Sequence, residues 1–298
     1  MKEFQSKKRR KVGFKLILKV IFWVILLIIG KLIYGSISSG TISLNDAKNY
    51  NTHDNKKALK VLFIGNSHTS AFRIDQLLME ISLSQKEQYY HIYAESVADA
   101  QLLTIKIHWE AGEALRAIKR RKWDYVVLQG QSAMPLDPKA RANFLNYSKA
   151  FVKEINKTGA KAIFYGTWPY TASKLKKYRA ELTKLNKGRF AATIKNFNPD
   201  LHYRAINSIY LKAAKKYKST AVLTAPIRNT APQDIALQEN GNYNTLAGAY
   251  LNALAFYKHI FSANKFDEDT YVPVMLDKDD ARRLRKHVEN FGKKVAKK

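Results

Sequence analysis

A serine flanked by turn-forming residues follows a short apolar run near residue 60. Residues 61–64 are all apolar, which predicts a strand buried on both faces. Gly65 interrupts the run, and Asn66, Ser67 and Thr69 are turn and helix-capping residue types. Ser67 is therefore expected on a tight strand-to-helix turn, where backbone N–H groups point at a ligand. A serine in such a turn can be a nucleophile beside an oxyanion site, or it can simply cap the helix.

The elements that would position this turn alternate between strands and helices from residue 60 onward. Strands are predicted at residues 61–64, 90–95, 125–129, 162–166 and 220–225, and helices at 71–83, 101–119, 138–157, 202–217 and 245–261. Strands separated by helices imply right-handed crossovers and a parallel sheet covered on both faces. The predicted fold class is α/β, a three-layer α/β/α sandwich with a parallel, flavodoxin-like sheet. Ser67 then lies at the carboxyl end of the first central strand, where open α/β sheets bind their ligands.

The N-terminal segment has the composition of a membrane anchor. Six lysine and arginine residues lie between positions 2 and 11, and residues 14–35 are mostly apolar. If Lys19 and Lys31 extend to the interfaces, the span reaches roughly 20 residues, the length that a bilayer requires. The basic cluster before it predicts a cytoplasmic N-terminus and a single transmembrane helix, with the α/β domain extracytoplasmic. A cleaved signal peptide is the alternative, because small residues follow at 35–40, although no Ala-x-Ala site is present.

The chain is thus expected to have five segments. These are a cytoplasmic basic segment (1–13), a transmembrane anchor (14–35), a polar linker (36–58), the α/β domain (59–265) and a basic C-terminal extension (266–298). The end of that extension, from Asp277, is predicted to be a charged and mostly solvated helix. The chain has no cysteine, no cluster with metal-ligand spacing and no glycine-rich phosphate loop, so no metal or cofactor is expected.

The net charge of the chain is +28, which implies an anionic partner or surface but says nothing about fold. Basic runs lie at 119–122, 174–177 and 293–298. Such runs are usually solvated faces, but in the predicted compartment they favour contact with anionic cell-wall polymers, glycans or lipid head groups of the membrane. No nucleic-acid partner is expected, because no nucleic-acid-binding motif is visible.

Residues 60–262 resemble the SGNH (GDSL-like) hydrolase superfamily, and most closely its bacterial branch with a Gly-Asn-Ser nucleophile turn. Gly65, Asn66 and Ser67 match the nucleophile block, which implies that Ser67 is the nucleophile and that its N–H is an oxyanion donor. The segment 123–132 resembles the block that carries the oxyanion asparagine, with Gln131 at that position. The Gln131 amide can donate to an oxyanion. Alternatively, the side chains of Gln129 and Gln131 only satisfy backbone groups of their loop.

Two other blocks depart from the family pattern. The region equivalent to the second block, 96–101, has no glycine. In the fourth block, residues 248–251 match well and set a register in which Asn240 replaces the family aspartate and Tyr243 the family histidine. Phenols ordinarily titrate near pH 10 and accept a serine proton poorly, and an asparagine cannot stabilise an imidazolium by charge. The resemblance therefore implies a serine esterase or deacetylase for cell-surface glycans or small esters by ancestry, with weak or no activity in this chain.

Other residues could replace the missing base. The side chain of His68 is expected to point away from its neighbour Ser67, and His108 and His202 are expected on the surface or at helix ends. Asp234 and Glu239 lie close to the fourth block and are candidate bases. Two other function classes stay open: a non-catalytic protein that binds anionic cell-surface polymers, and a structural membrane protein without a working cleft.

Overall fold

The computed structural model of the chain describes residues 58–86, 91–98, 104–184 and 197–292. The predicted cytoplasmic segment, the anchor at 14–35 and the linker up to residue 57 lie outside these ranges, so their topology stays a prediction. Across the four described ranges, no helix combines the length and the apolar character needed to cross a bilayer.

The described residues alternate between strands and helices, as the sequence predicts. The strands are β1 Ala58–Gly65, β2 His91–Ala98, β3 Tyr125–Gln129, β4 Lys161–Gly166, β5 Thr220–Leu223, β6 Gln238–Glu239 and β7 Tyr243–Asn244. The helices are α1 Ser67–Ser70, α2 Ile74–Leu83, α3 Ile105–Ala111, α4 Glu113–Arg120, α5 Pro138–Lys157, α6 Ala172–Lys184, α7 Pro199–Lys216, α8 Thr224–Asn229, α9 Leu246–Phe261 and α10 Lys278–Asn290. A short 3₁₀ turn, Met134–Leu136, precedes α5.

The main sheet has five parallel strands in the order β2-β1-β3-β4-β5, and β6 and β7 form a separate antiparallel hairpin. This order is flavodoxin-like and confirms the predicted α/β fold class. Residues 61–64 of β1 are all apolar and fully buried, because helices cover both faces of the sheet. Since β1 lies between β2 and β3, its carboxyl end opens at the centre of the sheet edge.

Three predicted elements are shortened or divided in the structure by a local feature of the backbone. The helix expected at 71–83 begins at Ile74, after a left-handed residue, Arg73 (φ +47°), that separates it from α1. The helix expected at 101–119 is broken at Gly112 (φ +74°), whose left-handed backbone divides it into α3 and α4. The strand expected at 220–225 ends at Leu223, because Thr224 already begins α8 and donates its hydroxyl to the carbonyl of Gly166 at 2.9 Å.

The C-terminal helix α10, in the predicted C-terminal extension, packs against α9. Its face formed by Ala281, Leu284 and Val288 is fully buried, which corrects the expectation of a mostly solvated helix. These three residues recur at helical spacing, the pattern of a core-facing stripe. The ammonium group of Lys258 on α9 donates hydrogen bonds to the last carbonyls of α10, including that of Val288 at 2.7 Å.

Candidate functional site

Ser67 begins a one-turn helix directly after β1, as the sequence predicts. Asn66 caps this turn in an extended conformation, and its Oδ1 accepts the backbone N–H of His68 at 3.1 Å. Ser67 itself is half-buried. Within the described part of the chain, neither its backbone N–H nor its hydroxyl group has a hydrogen-bond partner. Both groups are therefore available to a ligand at the carboxyl edge of the sheet.

The side chain of Gln129, at the end of β3, holds this turn in place. Its Oε1 accepts the backbone N–H of Asn66 and the hydroxyl group of Thr69, each at 3.0 Å, and its Nε2 donates to the Asn66 side chain at 2.9 Å. Gly65 is required beside it, because a Cβ atom there would lie 2.6 Å from Gln129 Oε1 and 2.5 Å from Thr69 Oγ1. Gln129 thus satisfies backbone and side-chain groups of the turn, the alternative role considered for the two glutamines.

Gln131 lies two residues farther along and is only half-buried. Among the described residues its amide has no hydrogen-bond partner, so the amide can still donate to a ligand. The side chain lines a cavity of about 70 Å³ between the start of α3 and α5, together with Thr104 and Asn143. Ser67 does not line that cavity, and no hydrogen bond joins the two residues. The predicted oxyanion role of Gln131 stays a prediction.

His68 is buried and both of its ring nitrogens face residues other than Ser67. Nδ1 lies 3.2 Å from Oδ1 of Asn66, and Nε2 lies 3.2 Å from the Ser132 hydroxyl and 3.3 Å from Oδ1 of Asn242. Burial lowers the pKa of His68 to about 4, with the hydrogen bond that Oδ1 of Asn242 accepts acting in the opposite direction. The imidazole is therefore neutral at pH 7 and ties the Ser67 turn to two other loops.

The β6–β7 hairpin carries Asn240 and Tyr243, the residues that the resemblance aligns with a catalytic aspartate and histidine. Asn240 sits in the turn with a left-handed backbone (φ +49°) and is exposed. Tyr243 is 46% exposed on β7, whereas Asn242 and Asn244 on either side of it are buried. Asn242 faces His68, and the Asn244 side chain donates to the carbonyl of His68 at 3.4 Å. The hairpin thus reaches the Ser67 turn through these two asparagines. No hydrogen bond links Tyr243 to Ser67 in the described residues.

Two histidines expected on the surface or at helix ends are buried, which corrects that expectation. His108 on α3 bonds through Nε2 to the carbonyl of Gly65 at 2.6 Å. His202 on α7 lies between the N–H of Tyr170 (3.1 Å) and the carbonyl of Ser132 (2.8 Å), and burial lowers its pKa to about 4. Each histidine forms hydrogen bonds to a distant segment beside the site. The sequence pattern around residues 108 and 202 does not indicate these bonds.

The two acidic candidates for a replacement base do not contact Ser67 either. Asp234 is exposed and forms a two-pronged ion pair with Arg283 on α10, with the closer contact at 2.5 Å. Glu239 is exposed on β6 and faces Tyr243 across the hairpin. In the ranges that the structure describes, no hydrogen bond joins Ser67 to a basic group, and no group of three or more His, Asp or Glu residues could hold a metal ion.

A buried cation, Arg228, lies near His68, and no motif in the sequence indicates it. The guanidinium carbon of Arg228 is 3.9 Å from the centre of the Trp168 ring, and the centre of the His68 ring is 4.8 Å from the centre of the same ring. The Trp168 indole N–H donates to the carbonyl of Asn242 at 3.0 Å. Arg228 and His68 therefore both pack against Trp168, whose indole N–H is bonded to the β6–β7 hairpin. An isolated arginine after a short strand carries no signal of such a role.

Comparison with known proteins shows which solved structures are similar to this fold. No protein-family model matches the chain, and no curated protein matches it in sequence. Among solved structures, a candidate SGNH hydrolase from Slackia heliotrinireducens matches with a TM-score of 0.54 at 21% identity, over 68% of this chain and 99% of that one. A DUF4886 family protein from Bacteroides uniformis matches with a TM-score of 0.60 at 18% identity, over 78% of this chain and 94% of that one. This chain therefore shares its fold with a candidate SGNH hydrolase and with a DUF4886 family protein.

Proposed function

We propose that this chain is a membrane-anchored, extracytoplasmic SGNH-hydrolase-like protein whose ancestral activity was that of a serine esterase or deacetylase and whose present esterase activity is weak or absent. The fold and the Ser67 turn support the first part of the proposal. The apolar segment 14–35, with the basic cluster before it, supports the anchor. The substrate class follows from ancestry and compartment: acetylated cell-surface glycans or small esters.

One observation carries the proposal: the hydroxyl and N–H groups of Ser67 are free for a reaction, but no base is hydrogen-bonded to the hydroxyl group among the described residues. Both groups of Ser67 are unpartnered in the described residues, as an attacking oxygen and an oxyanion donor require. Attack on an ester carbon forms the acyl–oxygen bond only as the serine proton passes to a base. The neighbouring imidazole of His68 is committed to Asn66, Ser132 and Asn242, and Asp234 is committed to Arg283.

The test compares turnover of p-nitrophenyl acetate by the detergent-solubilised full chain with turnover by its Ser67→Ala variant. We expect nearly equal, slow rates, because the hydroxyl group lacks a proton acceptor. A Ser67-dependent rate several orders of magnitude above background would show that another group accepts the proton, and the proposal of a weak enzyme would then be wrong.

The second candidate is a non-catalytic protein that binds anionic cell-surface polymers. The net charge of +28 favours it, because an excess of cations in an extracytoplasmic domain attracts anionic wall polymers and lipid head groups. This function requires no base near Ser67. Binding of a purified anionic wall polymer by the Ser67→Ala variant, with unchanged affinity, would support it over the enzymatic function.

A further inference from the structure

The charge of Arg228 is buried without a carboxylate partner among the described residues. The residue is 7% exposed. Its Nη1 donates to Oδ1 of Asn244 at 3.1 Å and reaches the Gly248 carbonyl and Oδ1 of Asn252, each at 3.3 Å, while its Nη2 donates to the carbonyl of Leu237. All four acceptors are neutral. By contrast, the more exposed Arg73, Arg120 and Arg283 each pair with an acid.

Neutral acceptors and an aromatic ring leave the charge of this arginine uncompensated. The Trp168 ring covers one face of the guanidinium group, which offsets part of the cost of burial. Burial still lowers the pKa of Arg228 to about 9. A guanidinium group has five N–H donors in a fixed planar arrangement. In the described residues, the Nε–H and one N–H of Nη2 have no partner.

Arg228 also lines a cavity of about 260 Å³ between the loop after β4 and the segment from α8 to β6. The rest of the lining combines neutral amides, including Asn229, Gln233 and Gln238, with apolar groups that include Trp168 and Ile235. No acidic side chain belongs to the lining, and the nearby carboxylate of Asp234 is held by Arg283. Arg228 is therefore the cation of an otherwise neutral recess, with an aromatic wall beside it.

We propose that this cavity binds a small anion, a carboxylate or phosphate group, with Arg228 as its counter-charge and Trp168 as the flat apolar wall for the body of the ligand. Paired N–H donors on a guanidinium group match both kinds of anion in a two-pronged geometry. Ser67 does not line the cavity, so the proposed anion site does not include the proposed nucleophile. It also differs from the exposed lysines, which attract polymers without a defined stoichiometry.

The experiment measures thermal unfolding and tryptophan fluorescence of the full chain in sodium phosphate, sodium acetate and sodium chloride at matched ionic strength. We expect a saturable rise in the unfolding midpoint with phosphate or acetate relative to chloride, and a change in fluorescence that is lost in Trp168→Phe. The phosphate and acetate series show which of the two anionic groups the cavity takes. The Arg204→Gln variant removes an exposed arginine and serves as the matched control that keeps the effect.

Two variants decide the proposal. Arg228→Gln removes the counter-charge and should weaken apparent anion binding by about ten-fold or more. If Arg228→Gln does not fold, Gln238→Glu provides the test, because it adds a carboxylate to the cavity lining that competes with the added anion and should abolish the saturable shift. An equal shift in Gln238→Glu and Arg204→Gln, or no shift relative to chloride in the unmodified chain, would overturn the proposal.

Discussion

Nε2 of His68 lies 3.3 Å from Oδ1 of Asn242, although the two residues are 174 positions apart in the chain. This contact joins the turn that carries Ser67 to the hairpin that carries Asn240 and Tyr243. Because the imidazole is bound on both sides and nearly uncharged at neutral pH, it acts as a structural link. The serine has a histidine neighbour, but that histidine is held away from it.

Restoring the family residues on the hairpin should raise esterase activity. The double variant Asn240→Asp, Tyr243→His supplies an imidazole with an acidic partner as the base for Ser67. We expect roughly 10²-fold faster turnover of an acetyl ester. The assay is p-nitrophenyl acetate hydrolysis, and the gain should vanish when Ser67→Ala is added. Asn242→His is the control for the alignment, because Asn242 is the buried residue next to Tyr243. If this variant gained esterase activity and the double variant did not, the alignment set by residues 248–251 would be wrong.

The buried histidines should make the fold sensitive to acid. The pKa values of His68 and His202 are lowered from 6.5 to about 4, so the unfolded chain binds more protons than the folded one between these pH values. Stability is complete above about pH 6.5 and is lost as the pH falls toward 4, by roughly 3 kcal/mol for each histidine. Urea unfolding at pH 4.5 and pH 7 measures this loss, which should be smaller in His202→Gln. An unchanged pH slope in that variant would contradict the assignment.

Gly65→Ala should destabilise the domain, because its methyl group would lie 2.5–2.6 Å from Thr69 and Gln129 and would displace the Ser67 turn. We expect a loss of roughly 1–3 kcal/mol in the free energy of unfolding. Gly159→Ala is a useful comparison, since that glycine has φ +82° but open space around its Cβ position. It isolates the backbone cost of about 1 kcal/mol. The steric account fails if Gly65→Ala unfolds no more readily than the parent chain in urea.

The predicted topology can be tested with protease added to intact cells whose wall admits it. The basic cluster before residues 14–35 predicts a cytoplasmic N-terminus, so the α/β domain should be digested. A tag at the N-terminus should survive the same treatment and provides the internal control. Full protection of the domain would exclude an extracytoplasmic location.

The net charge of +28 predicts salt-sensitive binding to anionic polymers. Exposed charges are screened over about 10 Å at 0.1 M salt, so retention on an anionic wall fraction should fall steeply between low and high salt. Removing residues 293–298, which hold four lysines, should shift elution to lower salt. Retention that does not depend on salt would point to contacts other than exposed charge.

Much of the fold follows from local patterns in the sequence. The four apolar residues before Gly65 indicate a doubly covered strand, and alternation with amphipathic helices indicates a parallel sheet, because local periodicity reports which face of an element is buried. The same reading places Ser67 on its turn and identifies Gly65 as a break. It does not locate the ends of elements such as α2, where the left-handed Arg73 decides.

The sequence by itself therefore determined the fold class and the position of Ser67 on the turn after the first strand. Only the tertiary structure decided what surrounds that serine. The surroundings of the serine depend on contacts between distant segments: His68 with Asn242, His202 with Ser132, and Arg228 with Trp168. Such contacts depend on how packed elements bring polar groups together away from water, where each buried group must find a partner. Local sequence patterns report the burial of a face and carry no record of which distant group will meet it.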